Sequence, residues 1–306
     1  MAKRVLMALT TAPLALVGCG SPSEDLPTEP PTSVTKVTSG GFTSPTDAVA
    51  SPDGKTFYFA AYDDLKEPTI FRTSSAPGSA AEVLATSEPL QAPIGLVMSC
   101  DGKTLYIADM GNEIGAVFSI PTDGGAITDL LVTGIVRPAG MAMDADCKTM
   151  HVTGRTEDGR PALFSTPIEG GAASLVYAGD PLVSPTGLHI DNDGVSWVMD
   201  HLAHGANGEG VLFAIPKDGS AATEVASDLR MGTPGGVSLT AGGGTAVIPT
   251  RDHEGAAQIT SVNIATGEMQ QLAAPDMLDP AGLRTARKAG VFAVVDSEAG
   301  AIYRAE

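Results

Sequence analysis

Short apolar runs separated by Asp-Gly and Pro- or Gly-rich turns recur along the whole chain, and residues 92–109 show the pattern most clearly. There, apolar residues at 96–98 and 105–108 flank Asp101-Gly102, a dipeptide that supplies the positive φ of a tight β-hairpin. The next residues, Ala116-Val117-Phe118-Ser119-Ile120, then Pro121-Thr122-Asp123-Gly124-Gly125, then 127–132, read as strand, turn and strand. One copy of the pattern is therefore a four-stranded antiparallel unit.

The unit repeats. Its opening proline recurs as Pro45, Pro93, Pro138, Pro185, Pro234 and Pro280, at spacings of 48, 45, 47, 49 and 46 residues. A Pro-x-Gly triplet follows in five copies (Pro93-Ile94-Gly95, Pro138-Ala139-Gly140, Pro185-Thr186-Gly187, Pro234-Gly235-Gly236, Pro280-Ala281-Gly282), whereas the first copy reads Pro45-Thr46-Asp47. Four-stranded units of this length bury both faces only by packing around a common axis, so the sequence predicts an all-β, six-bladed β-propeller over residues 34–306. The sixth copy ends at Tyr303-Arg304-Ala305-Glu306, after its third strand, while Val34-Thr35-Lys36-Val37-Thr38 is a strand without a repeat. Adding that N-terminal strand to the last blade closes the ring and covers a sheet edge.

Upstream of the repeats the pattern changes. Lys3-Arg4, an apolar stretch at 5–17 and Gly18 before Cys19 form a signal peptide over residues 1–18, too short for the roughly 20 apolar residues of a membrane span. Residues 19–33 then carry Pro, Ser, Thr and acidic side chains without apolar periodicity, as expected of a disordered tether. Lys and Arg number 18, including the two in the leader, against 36 Asp and Glu, so the exported part has a net charge of about −20. That charge repels phosphate backbones, which sets nucleic acid aside as a partner; it also serves simple solubility.

Leu16-Val17-Gly18-Cys19 resembles the lipobox of bacterial lipoproteins. That resemblance implies cleavage before Cys19, a lipid on its sulfur and a membrane partner through that lipid. With Gly20 rather than Asp after the cysteine, it further implies the outer membrane of a Gram-negative cell, on its periplasmic face or at the surface. An ordinary secretory signal containing a cysteine is the alternative. Ala108-Asp109-Met110-Gly111-Asn112-Glu113-Ile114 after Gly95-Leu96 resembles an NHL repeat, and Ser51-Pro52-Asp53-Gly54-Lys55-Thr56 resembles a segment common to six-bladed propellers of the gluconolactonase-like and TolB-like kinds. The lactonases of that superfamily hold a divalent metal with a Glu, an Asn and an Asp. Here Thr43 and Thr186 stand where the Glu and Asn belong. The reading is thus a monomeric binding or interaction scaffold for an unknown protein or small ligand. The alternative is a lactonase- or esterase-like hydrolase with a non-standard site.

The candidate site lies where second strands end. Asp109, Asp200 and Asp296 occupy that place in three blades, and two of the loops that follow are unusual: Asp200-His201-Leu202-Ala203-His204 and Arg251-Asp252-His253-Glu254. His201, His204 and His253 beside the carboxylates of Asp200 and Asp252 have the chemistry of a transition-metal site or a general base. The same pattern fits aspartates that hold loop amides, with solvated histidines around them.

With Cys19 assigned to lipid, Cys100 and Cys147 remain, an even pair for an oxidising compartment. Aligning Lys103 with Lys148 puts both cysteines in first-to-second-strand hairpins of adjacent blades, so a disulfide is expected, against the alternative of two free thiols. By loop-closure entropy it contributes up to roughly 4 kcal/mol. Mass analysis of the exported, non-reduced protein should find no free thiol at either position.

Overall fold

The computed structural model describes residues 29–205 and 208–306. It contains 24 strands in six four-stranded antiparallel sheets. Five sheets use strands in sequence order from the axis outward, as in the second blade: Pro93–Met98, Thr104–Asp109, Ala116–Pro121 and Thr128–Asp129. The sixth is built from Pro280–Thr285, Phe292–Asp296 and Ala301–Ala305, and its outer strand is the N-terminal Val34–Ser39. Val34 pairs with Ala305 and Ser39 with Ala301. The amides of Thr32 and Ser33 extend this join, both donating to the Glu306 carbonyl, at 2.7 and 2.9 Å. Two residues of the expected tether thus belong to the propeller; residues 1–28, with the leader and Cys19, lie outside the described residues.

One strand is shorter than its sequence implies. Residues 127–132 have the composition of a fourth strand, yet the strand spans only Thr128–Asp129 and its last bond to the third strand is the Leu130 amide donating to the Val117 carbonyl at 3.0 Å. Leu131 adopts a φ of 51°, and Thr133 forms a bridge to Ala172 of the next blade. The segment leaves its own sheet early because a neighbouring backbone offers partners.

The core is divided among the seams between blades. Each of the six adjacent pairs encloses its own buried apolar cluster, among them Tyr58, Ile70, Leu96, Leu105 and Ile107 between blades one and two. The seam that closes the ring carries three phenylalanines of blade one, Phe42, Phe59 and Phe71, with ring centroids 4.7 to 5.6 Å apart. Cys100 and Cys147 form a disulfide that joins the hairpins of blades two and three.

Near the axis the inner strands come so close that side chains are excluded. A Cβ on Gly95 would lie 1.8 Å from the Ala139 carbonyl oxygen, one on Gly140 2.2 Å from that of Thr186, and one on Gly236 2.2 Å from the Leu283 amide. The glycine of Pro-x-Gly is therefore the residue that lets six strands converge. Asp47 takes that place in blade one, and its side chain reaches both neighbouring blades. Its Oδ2 accepts from the Leu96 amide at 2.9 Å and from Arg284 Nη2 and Nε at 3.2 and 3.3 Å, while Oδ1 accepts from the Ala48 amide at 3.0 Å. Arg284 also donates through Nη1 to the Leu188 carbonyl. Burial pushes the Asp47 carboxyl upward, and Arg284 and the two amides pull against that shift. One ion pair, buried on both sides, links blades one, two, four and six.

Two outcomes follow from this architecture. Deleting residues 20–31 should leave the melting temperature unchanged, whereas deletion through Thr38 should lower it sharply; equal melting would place the closing strand elsewhere. Asp47→Gly should cost about 3–5 kcal/mol in denaturant unfolding, because Arg284 is left buried without its counter-charge. Adding Arg284→Met to that variant should recover part of the loss, and strictly additive costs would show that the two residues do not act as a pair.

Candidate functional site

A propeller blade has two ends. At one, the Pro-x-Gly segments start the inner strands and the second-to-third-strand loops turn; at the other lie the first-to-second-strand hairpins. The aspartates singled out from the sequence sit at the Pro-Gly end, and all three are buried. Asp109 accepts from the amides of Gln91, Ala92 and Gly111 at 2.7 to 3.0 Å. Asp200 does the same for Val183, Ser184, Leu202 and Ala203, and Asp296 for Leu278, Asp279 and Ala299. Each carboxylate ties the segment leading into its own blade to the loop beyond its second strand, which satisfies amides that no sheet partner reaches.

The other residues of the loops lie apart. His201 is half-buried, with Nδ1 3.1 Å from the Ser184 carbonyl oxygen and 3.4 Å from Thr186 Oγ1, and burial holds its pKa below the usual histidine range. A ring nitrogen this close to a carbonyl carries the proton, so the tautomer is set by the backbone. His204 is exposed on an extended hairpin opposite Glu209. Exposed His253 places Nε2 3.0 Å from Asp228 Oδ2, and Asp252 caps its own turn by accepting from the Glu254 and Ala256 amides. These residues do not converge: among the described residues no group of three or more His, Cys, Asp or Glu is placed to hold a metal ion. Thr186, at the position of the lactonase Asn, spends its hydroxyl on the Gly235 amide of the next blade, at 3.1 Å.

What the Pro-Gly end does present is apolar. Leu65 is 81% and Ile114 62% exposed, and Val183, Leu202 and Leu278 are exposed as well. Four of them lie in second-to-third-strand loops or in segments leading into inner strands, Leu202 lies in the irregular end of the second strand Ser196–Gly205, and together they represent blades one, two, four and six. A concavity of about 460 Å³ between blades four and five lies on the same side, and its charged groups are paired: His253 with Asp228, and Arg251 with Asp279 at 3.1 Å.

The opposite end holds a feature that the sequence reading did not locate. A funnel of about 230 Å³ opens on the axis among the hairpins, and all six blades line it, through residues such as Val49, Met98, Met143, His189, Leu239 and Arg287. Arg284 also lines it, already held by Asp47. From blade six, Arg287 reaches across to blade three, where Nη2 donates to the Met143 carbonyl at 3.3 Å, and desolvation lowers its pKa. Asp191 is the carboxylate of the wall besides, and it is engaged by the Trp197 indole N–H at 2.9 Å and by the Asp193 and Val195 amides. Asp191-Asn192-Asp193-Gly194, which imitates the start of a calcium loop, is thus a hairpin turn. His189 is pushed down to about 3 by burial, with Arg284 and Arg287 adding to the shift. Part of its ring still meets the open funnel, which tempers the desolvation, but the two neighbouring cations keep it neutral near pH 7. Its Nδ1 lies 3.2 Å from Ser238 Oγ, which in turn accepts from the Thr285 amide at 3.1 Å. The legible signal was the place after Leu283: the fifth residue of the repeat is Val49, Val97, Ala142, His189 and Ser238 in the other blades, and Arg284 in the last.

No protein-family model matches the sequence, and no curated protein matches it. Solved structures do resemble the fold. The crystal structure of a nidogen/laminin complex aligns with a TM-score of 0.59 at 19% identity, over 74% of this chain and 82% of that one. A putative TolB from Agrobacterium tumefaciens aligns with a TM-score of 0.59 at 15% identity, over 78% and 86%. What this chain shares with both is the β-propeller fold.

Proposed function

We propose that this chain is an exported, lipid-anchored β-propeller that works as an interaction scaffold, docking another protein on its Pro-Gly face. The observation that carries the reading is the distribution of exposed apolar side chains. Five large ones surround that face, whereas none of the large exposed hydrophobics among the described residues lies in a first-to-second-strand hairpin. The other three, Val83, Leu131 and Leu175, lie in or beside outer strands at the circumference; scattered apolar residues need no explanation, but five of eight at one end of a symmetric body have the character of an interface. The carboxylates beneath it hold backbone amides, so they contribute rigidity to the docking surface. Nidogen/laminin is a complex of proteins, and that neighbour shows the fold in such a setting. The leader and Cys19 supply the membrane tether, and the exported compartment is the one in which a Cys100–Cys147 disulfide persists.

A photo-crosslinking residue at Ile114 or Leu278 should capture a discrete protein in whole cells, and the same residue at Lys55, in a hairpin of the opposite end, should not. Leu65→Asp with Leu278→Asp should remove the adduct formed from position 114. Capture from Lys55 alone would overturn the assignment of the face. Independently, Cys19→Ala should move the chain from the membrane to the soluble fraction, and an unchanged distribution would remove the anchor.

A further inference from the structure

We propose that the axial funnel on the hairpin face binds a small organic anion, a carboxylate on a compact apolar body, with Arg287 as its charge partner. This site is separate from the docking face and stands on different residues.

The wall decides the body of the ligand. Val49, Val97, Met98, Met143 and Leu239 line the funnel from four blades, so much of its wall is apolar and, through the two methionines, adaptable. Its volume of about 230 Å³ falls below the roughly 300–1,000 Å³ of sites for drug-sized molecules, which limits the occupant to something of the size of an aromatic or short-chain acid.

The charges decide its sign. Asp47, outside the lining, neutralises Arg284, and Asp191, the carboxylate of the lining, accepts from an indole and two amides, so neither is left to balance a further cation. Arg287 has no such partner: among the described residues no carboxylate lies within ion-pair distance of it. Of its five N–H donors, one is engaged, by the Met143 carbonyl across the mouth. In a chain with a net charge of −18, the funnel is thus an apolar recess with an unmatched guanidinium over it. A planar guanidinium with free donors matches a carboxylate in bidentate fashion, and the low-dielectric wall strengthens that contact. His189 adds a neutral hydrogen-bonding ring. When Ser238 Oγ gives its proton to Nδ1, the network assigns the remaining ring proton to Nε2 as a second donor.

Trp197 provides the readout, because it is the single tryptophan of the chain and its indole is bonded to the funnel residue Asp191. Benzoate and hexanoate should be titrated against the full chain, purified in a non-ionic detergent, with benzyl alcohol as the neutral counterpart, by calorimetry and tryptophan fluorescence. Both acids should bind at least tenfold more tightly than the alcohol, more weakly as salt rises, and with little change between pH 8 and pH 6 because His189 is already neutral. Arg287→Gln should lower the affinity for the acids at least tenfold and leave that for the alcohol unchanged, in a protein that still unfolds cooperatively. The proposal is overturned if neither acid binds, if acid and alcohol bind alike, or if Arg287→Gln binds the acids as the parent does. None of these outcomes touches the crosslinks at the other face, so the two readings fail separately.

Discussion

Closing six sheets around one axis brings six inner strands together at a point where there is room for backbone and little else, and the buried pair Asp47–Arg284 is what this chain places there. Five glycines satisfy the steric demand by having no side chain. The sixth position satisfies it electrostatically: the aspartate extends toward the axis and is met by an arginine from the blade that the chain forms last in sequence. Because Arg284 also reaches the Leu188 carbonyl, blades far apart in sequence share one set of hydrogen bonds. A buried ion pair is weak evidence for net stability, since desolvation opposes the Coulombic gain. What the pair adds is asymmetry, since Arg284 stands where the other blades carry Val49, Val97, Ala142, His189 and Ser238.

Much of the fold was readable in the sequence because repetition averages out local ambiguity. Each short apolar run taken alone fits a strand or a buried helix, but six prolines at nearly constant spacing, the first four followed by a hairpin signal, fit one architecture. The closing strand was readable for a simpler reason: the last copy lacks a strand and the chain has one to spare, which Val34–Ser39 supplies in pairing with Ala301–Ala305. Where the reading failed, tertiary contacts had replaced local preference, as at residues 127–132, where the Leu130 carbonyl accepts from the Gly171 amide of the neighbouring blade just before Thr133 bridges to Ala172.

The sites were far less legible. Asp109, Asp200 and Asp296 are recognisable as special from their recurrence, yet sequence does not distinguish a carboxylate that binds a ligand from one that binds amides; only the surrounding N–H groups do. His201 and His253 look like a pair from spacing, and the structure engages them separately, one with the Ser184 carbonyl and one with Asp228. The funnel was hidden for the opposite reason. Its charged residues stand in the inner strand and hairpin of the last copy, where an arginine reads as an ordinary surface cation until the ring is closed and the axis is seen to pass beside it.

The direction of the closing strand also fixes where the polypeptide enters the disc. Val34 pairs with Ala305, which itself lies opposite Phe292, the first residue after the hairpin of blade six. The polypeptide therefore joins the disc at its circumference and on the hairpin side, not through its centre. Were the chain anchored through Cys19 as proposed, its tether would therefore meet the body at the rim and on the funnel side, and the apolar loops would lie at the far end.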